Sequence, residues 1–155
     1  MRHGQQMAAN TGQPPQPTSK ALLLCDDTII EAGTSKISLI GVFRRFVLTH
    51  IPGTTRPFYA FIQLTNAQGT YDVVIEVRDL SADEAIAEAS GPGIEIESQL
   101  HVCNIILPVP RLLIEHAGHY EFIIFANNSE VDRQRFEAIE SQEDLEDQQD
   151  DDQHS

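Results

Sequence analysis

Residues 107–126 read LPVPRLLIEHAGHYEFIIFA, and the second half of that stretch limits the fold more than any other part of the chain. Successive side chains of a strand point to opposite faces. Tyr120, Phe122, Ile124 and Ala126 therefore share one face, and Ile123 and Phe125 share the other. A strand apolar on both sides at its middle belongs at the centre of a sheet, with another layer packed on it.

The remaining runs are short and alternate. Residues 21–25 (ALLLC) form an apolar strand ending at Asp26 and Asp27, and Gly33 sits in the turn that follows. Residues 37–43 form the next strand, Arg44 and Arg45 interrupt it, and residues 46–48 resume it. A bend at 41–45 lets one long strand serve two sheets. Residues 58–65 and 71–80 alternate cleanly on either side of Asn66-Ala67-Gln68-Gly69 and predict a hairpin. Residues 82–89 carry helix-forming Ala and Glu, but they sit inside a meander closed by Gly91-Pro92-Gly93 and are read as strand. A strand is expected over 97–107, ended by Pro108 and Pro110. Asn127 and Asn128 turn the chain into a more polar last strand, 131–139, which reads as a sheet edge. No internal repeat, heptad or membrane span is visible, so the expectation is an all-β antiparallel β-sandwich, immunoglobulin-like in broad architecture.

Gly118 and Tyr120 sharpen that expectation. A Tyr at a strand start just after a Gly turn matches the tyrosine corner of immunoglobulin-like domains, whose hydroxyl bonds backbone a few residues upstream. Here the upstream candidates lie at 112–115, and Phe122 stands where an immunoglobulin Cys would be. The plainer alternative is an ordinary half-buried Tyr.

Charge bounds function. The chain has 155 residues, 24 acidic against 10 basic, for a formal net charge of -14. Eight of the acids lie from Glu140 onward with no Lys or Arg, and residues 21–139 still carry about 16 acids to 8 bases. Such a field repels phosphates and anionic lipid, so neither nucleic acid nor membrane is expected as a partner. Residues 1–19 are rich in Gln and Pro and read as a disordered tail. The domain is expected over 20–139, and 140–155 reads as a disordered acidic tail that could instead dock a basic partner. With no export signal, Cys25 and Cys103 read as reduced, buried thiols, which points to the cytoplasm.

The patterns LLLCDDTIIEAGTSKISLIGVF and GHYEFIIFANN resemble a family of small bacterial proteins that carries only an unknown-function label. The resemblance covers about residues 21–139 and implies a compact β-sandwich. It brings no activity, substrate or catalytic residue.

Three side-chain sets are candidate sites. Asp26, Asp27 and Glu31, with Asp79, Asp83 and Glu84, could offer oxygens to a cation or small ligand, but their spacing fits no calcium loop. His101 and Cys103, with Cys25, His116 or His119, lack zinc-site spacing. No GxSxG elbow or thiol signature marks a nucleophile, and no cofactor is expected. Arg133 and Arg135 on the last strand, with Arg44 and Arg45, are candidates to hold a partner's carboxylate or phosphate, against a solvated edge face as the bland reading. These residues argue for a non-catalytic interaction or scaffold module with a protein partner, contacting it through the polar last strand. A metal- or ligand-binding domain using the Asp26–Asp27 loop is the first alternative, and an enzyme whose site converges only in the fold is the second. The sequence leaves the oligomeric state open.

Overall fold

The computed structural model describes residues 13–142, and within them every regular element is a strand. The first sheet holds four strands in the order β10-β5-β1-β2 and the second five, in the order β3-β13-β12-β7-β8. Their members are β1 (Thr18–Ile30), β2 (Ile37–Phe43), β3 (Arg45–Leu48), β5 (Phe58–Thr65), β7 (Val73–Asp79), β8 (Glu84–Ser90), β10 (Cys103–Val109), β12 (Gly118–Ala126) and β13 (Ser129–Glu140). Two small ladders complete it: β4 (Gly53–Thr54) with β11 (Leu113–Ile114), and β6 (Gly69–Tyr71) with β9 (Ile94–Ile96). Both large sheets are open, and residues of both share one core cluster.

β12 lies between β13 and β7, as its two apolar faces require. Tyr120, Phe122, Ile124 and Ala126 enter the core, while Ile123 is buried outside the core cluster. Leu22, Leu24, Ala60, Ile62 and Leu64 face them from the first sheet, and Phe58 and Phe122 meet edge to face at 6.5 Å. The bend after β2 behaves as expected: Arg44 separates β2 in the first sheet from β3 in the second. Residues 84–90 are strand, paired to β7. Asn127 and Asn128 both have positive φ, +49° and +69°, which suits a two-residue hairpin turn.

Several expectations are corrected. Residues 58–65 and 71–80 do not pair with each other; β5 and β7 stand in different sheets and contribute to one core cluster. Alternation alone describes both arrangements, and the turn at Asn66 (φ +59°) and Gly69 (φ +119°) bridges the layers instead of closing a hairpin. β1 runs on to Ile30, because β2 pairs with residues 24–30 and carries Asp26 and Asp27 as strand residues, not loop residues. β1 begins at Thr18, and Pro15 accepts a hydrogen bond from the Tyr71 hydroxyl. The strand expected over 97–107 begins only at Cys103, and Pro108 lies within it; β10 is an edge strand, where a missing N–H does no harm. The last strand is not an edge along its whole length. β3 pairs with residues 137–140 in parallel, so the sheets are not wholly antiparallel. Of the expected tails, 1–19 and 140–155, residues 1–12 and 143–155 lie outside the described residues.

Candidate functional site

The acidic set does not converge. Asp26 pairs with Arg56 at 3.2 Å, Asp27 accepts its neighbour Thr28's N–H, and Glu31 accepts from Thr34 within its own turn. Among the described residues no group of three or more His, Cys, Asp or Glu side chains is placed to hold a metal ion. Asp83 reaches Arg78 at 3.4 Å, 93% exposed. Cys25 is fully buried and Cys103 half-buried; β5 lies between their strands, and both thiols are free. Burial pushes both thiols above the ordinary cysteine value, with Asp26 and Asp27 adding to the rise at Cys25. Both stay protonated at neutral pH and are weak nucleophiles.

Asp79, Ser81 and His116 do meet, which the sequence reading missed. Asp79 is 4% exposed at the end of β7. The Ser81 hydroxyl donates to its Oδ1 at 2.9 Å, and His116 Nε2 lies 2.5 Å from its Oδ2. Burial opposes the charged carboxylate, but hydrogen bonds from Ser81, His116 and the Ala82 N–H outweigh it and hold Asp79 below its ordinary pKa. His116 is raised, first by Nδ1 donating to the Ala117 carbonyl and then by Asp79. Ser81 and Asp79 engage the same ring nitrogen, so the imidazole cannot pass a proton from serine to carboxylate as a hydrolase triad does. The cluster is a clamp. Tyr120 completes it by donating to the His116 carbonyl at 2.6 Å, one residue past the expected 112–115, with its ring stacked on Phe136. Gly118, at φ +147°, lets the chain enter β12 beside it.

The four arginines separate. Arg44, Arg45 and Arg135 border one shallow depression of about 490 Å³ with His119, while Arg133 lies apart from it. Arg133 is held by Glu130 and, at 2.7 Å, by Glu121; Arg45 pairs with Glu137 at 3.2 Å. Glu121 is itself buried between Arg133 and the more distant Arg135, at 3.9 Å. The outer face of the second sheet is thus a network of mutually neutralising ion pairs. Between edge strands β8 and β10 a recess of about 410 Å³ opens, lined by apolar groups such as Val73, Ile75, Ile105 and Leu107.

The first sheet differs. The registers place Val42, Cys25, Tyr59 and Pro108 in one row across its outer face, and Leu23, Phe61 and Ile106 in the next. Ile40 adds a further apolar position beside Asp27. Ile40 and Val42 are 45% and 51% exposed, and Leu23, Tyr59, Phe61 and Ile106 are half-buried. β2, β5 and β10 contain no charged residue, and β1 carries Lys20, Asp26 and Asp27, of which Asp27 is exposed beside Ile40; every strand of the second sheet contains at least one. The signal was present in the sequence: FYAFIQLT is largely apolar on both faces. Its meaning depended on knowing that β2 and β10 flank the same sheet.

The strands that build both sheets fall within residues 20–139 apart from short ends, and a model described as a family of unknown function (DUF6941) matches those residues. The chain belongs to that family. In DUF6941 terms the match takes in the apolar face of the first sheet, the Asp79 clamp and the arginine depression together. Comparison with the curated proteins found no match. No helix among the described residues is long and apolar enough to cross a membrane.

Proposed function

We propose that this chain is a non-catalytic protein-interaction module of the bacterial cytosol, built on an immunoglobulin-like β-sandwich, whose docking surface is the outer face of the first sheet. The observation that carries this reading is the segregation of charge. A chain with a net charge of -14 has enough charged residues to cover both outer faces, yet three strands of one sheet have none. Depletion of charge with exposed aromatic and aliphatic groups is the mark of an interface core. The contact surface therefore moves from the last strand, whose edge is partly closed by β3 and whose arginines are engaged, to the opposite layer. Free, unpaired thiols fit a reducing compartment. The test is a photo-crosslinking residue placed at Phe61 or, as a comparison, at Arg133, in the native cell. Protein adducts at 61 and none at 133 are expected; adducts at neither position, or equal yield at both, would discard the reading.

A further inference from the structure

We propose that the depression bordered by Arg44, Arg45, His119 and Arg135 binds a phosphate, free or carried on a small molecule. It lies on the second sheet and is separate from the docking face of the first. The depression sits at a gap in a sheet edge. β3 pairs with β13 only from Glu137 onward. Towards the other end of β13, Gln16 donates to the Glu130 carbonyl at 3.2 Å and the Ser19 hydroxyl to Asp132 at 2.5 Å. Residues 133–136 between these contacts pair with β12 on one side and, among the described residues, with no strand on the other. The Glu137 N–H donates to the Arg44 carbonyl at 2.9 Å, away from β12. Backbone groups alternate in direction along a ladder, so the Arg135 N–H points out of the same edge. The Arg135 carbonyl already accepts from Gln134 Nε2 at 3.1 Å. The gap thus offers a donor without the matching acceptor, which suits an anion and not an added strand.

Charge points the same way. The chain is acidic overall and repels anions at long range, so a site for one has to concentrate its few bases. Of 10 Lys and Arg residues, three border this depression, against one carboxylate, Glu137. Glu137 occupies Arg45 at 3.2 Å. Arg135 reaches Glu121 only at 3.9 Å, and Arg133 already holds that carboxylate at 2.7 Å. The exposed Arg44 guanidinium has no hydrogen bond or ion pair among the described residues. Two guanidinium forks and a backbone N–H are therefore left for a ligand. A single fork satisfies both oxygens of a carboxylate, whereas a phosphate has oxygens for both forks and the N–H. At about 490 Å³ the depression also leaves room for the rest of a small molecule.

Titration of the isotope-labelled full-length protein with sodium phosphate, at a constant ionic strength of about 150 mM and followed by backbone amide resonances, tests this. Saturable movement of the Arg135 and Glu137 amides is expected. Arg44→Ala and Arg135→Ala, both at exposed positions, should each weaken binding about tenfold while leaving the melting temperature unchanged. Arg111→Ala, exposed and outside the depression, should bind like wild type. Acetate should bind about tenfold more weakly than phosphate. Tighter binding of glycerol phosphate than of inorganic phosphate assigns the site to a phosphate ester, and the reverse assigns it to the free ion; either upholds a phosphate site. Amides that do not move saturably overturn it. So does acetate binding as tightly as phosphate, or an Arg111→Ala loss equal to that of Arg44→Ala. The docking face of the first sheet is untouched by any of these results.

Discussion

Gly41 lies in β2 with φ +68°, and a Cβ there would come within 2.4 Å of Asp26 Oδ2 across the ladder. Both the backbone angle and the close approach call for glycine. Gly41→Ala should cost on the order of 1–3 kcal/mol in urea unfolding, and an unchanged midpoint would show that Asp26 swings aside freely. The Asp79–His116 clamp has a pH signature. His116 has its folded pKa raised, so its contribution is whole below about pH 6.5 and fades as pH climbs through the raised value. Asp79 has its folded pKa lowered, so its contribution is present above about pH 4 and is lost only as pH falls through the lowered value. His116→Gln should therefore show its largest loss of melting temperature between those limits and a smaller one near about pH 9. A deficit that grows with pH would rule out the ion pair.

At the scale of the strand, β13 explains why a polar sequence is not a free rim. Its alternate residues Arg133, Arg135 and Glu137 face outward into ion pairs, while Phe136 and Ala138 enter the core. The two arginines are unequal. Arg133 holds the buried Glu121 carboxylate at 2.7 Å and Arg135 only at 3.9 Å. Arg133→Ala should destabilise by about 1–3 kcal/mol, mainly by leaving a buried carboxylate without its close donor. Arg135→Ala should stay within about 0.5 kcal/mol of wild type. Equal effects in chemical denaturation would mean that the network rearranges around either loss.

For the molecule as a whole, the charge imbalance sets a further expectation. With 24 acids to 10 bases, net self-repulsion outweighs the surface ion pairs of the second sheet. Raising salt from about 10 mM to about 150 mM should raise the melting temperature, because screening relieves repulsion over distances beyond about 10 Å. A fall on adding salt would place the ion-pair network above the net field. Measured at a concentration where the protein is monomeric, this shift reports on the fold and not on association.

Much of the local structure was legible. The period-two runs marked β2, β5, β7 and β12, Asn127 and Asn128 marked a turn, and Arg44 marked the passage of one strand between two sheets. The central place of β12 followed from Ile123 and Phe125 opposing Phe122 and Ile124, because only an interior strand buries both sides. Partnership was not legible. Alternation tells which side chains share a face but not which strand lies alongside, so β5 and β7 looked like a hairpin and β13 like a rim. The same limit hid the candidate surface. Tyr59, Phe61, Val42 and Ile106 are scattered over 65 positions of sequence, and only hydrogen-bond register gathers them onto one largely apolar face. Side-chain periodicity is written along the chain; strand neighbours are chosen by the packing of the whole core, and that choice made a surface from residues that are ordinary one at a time.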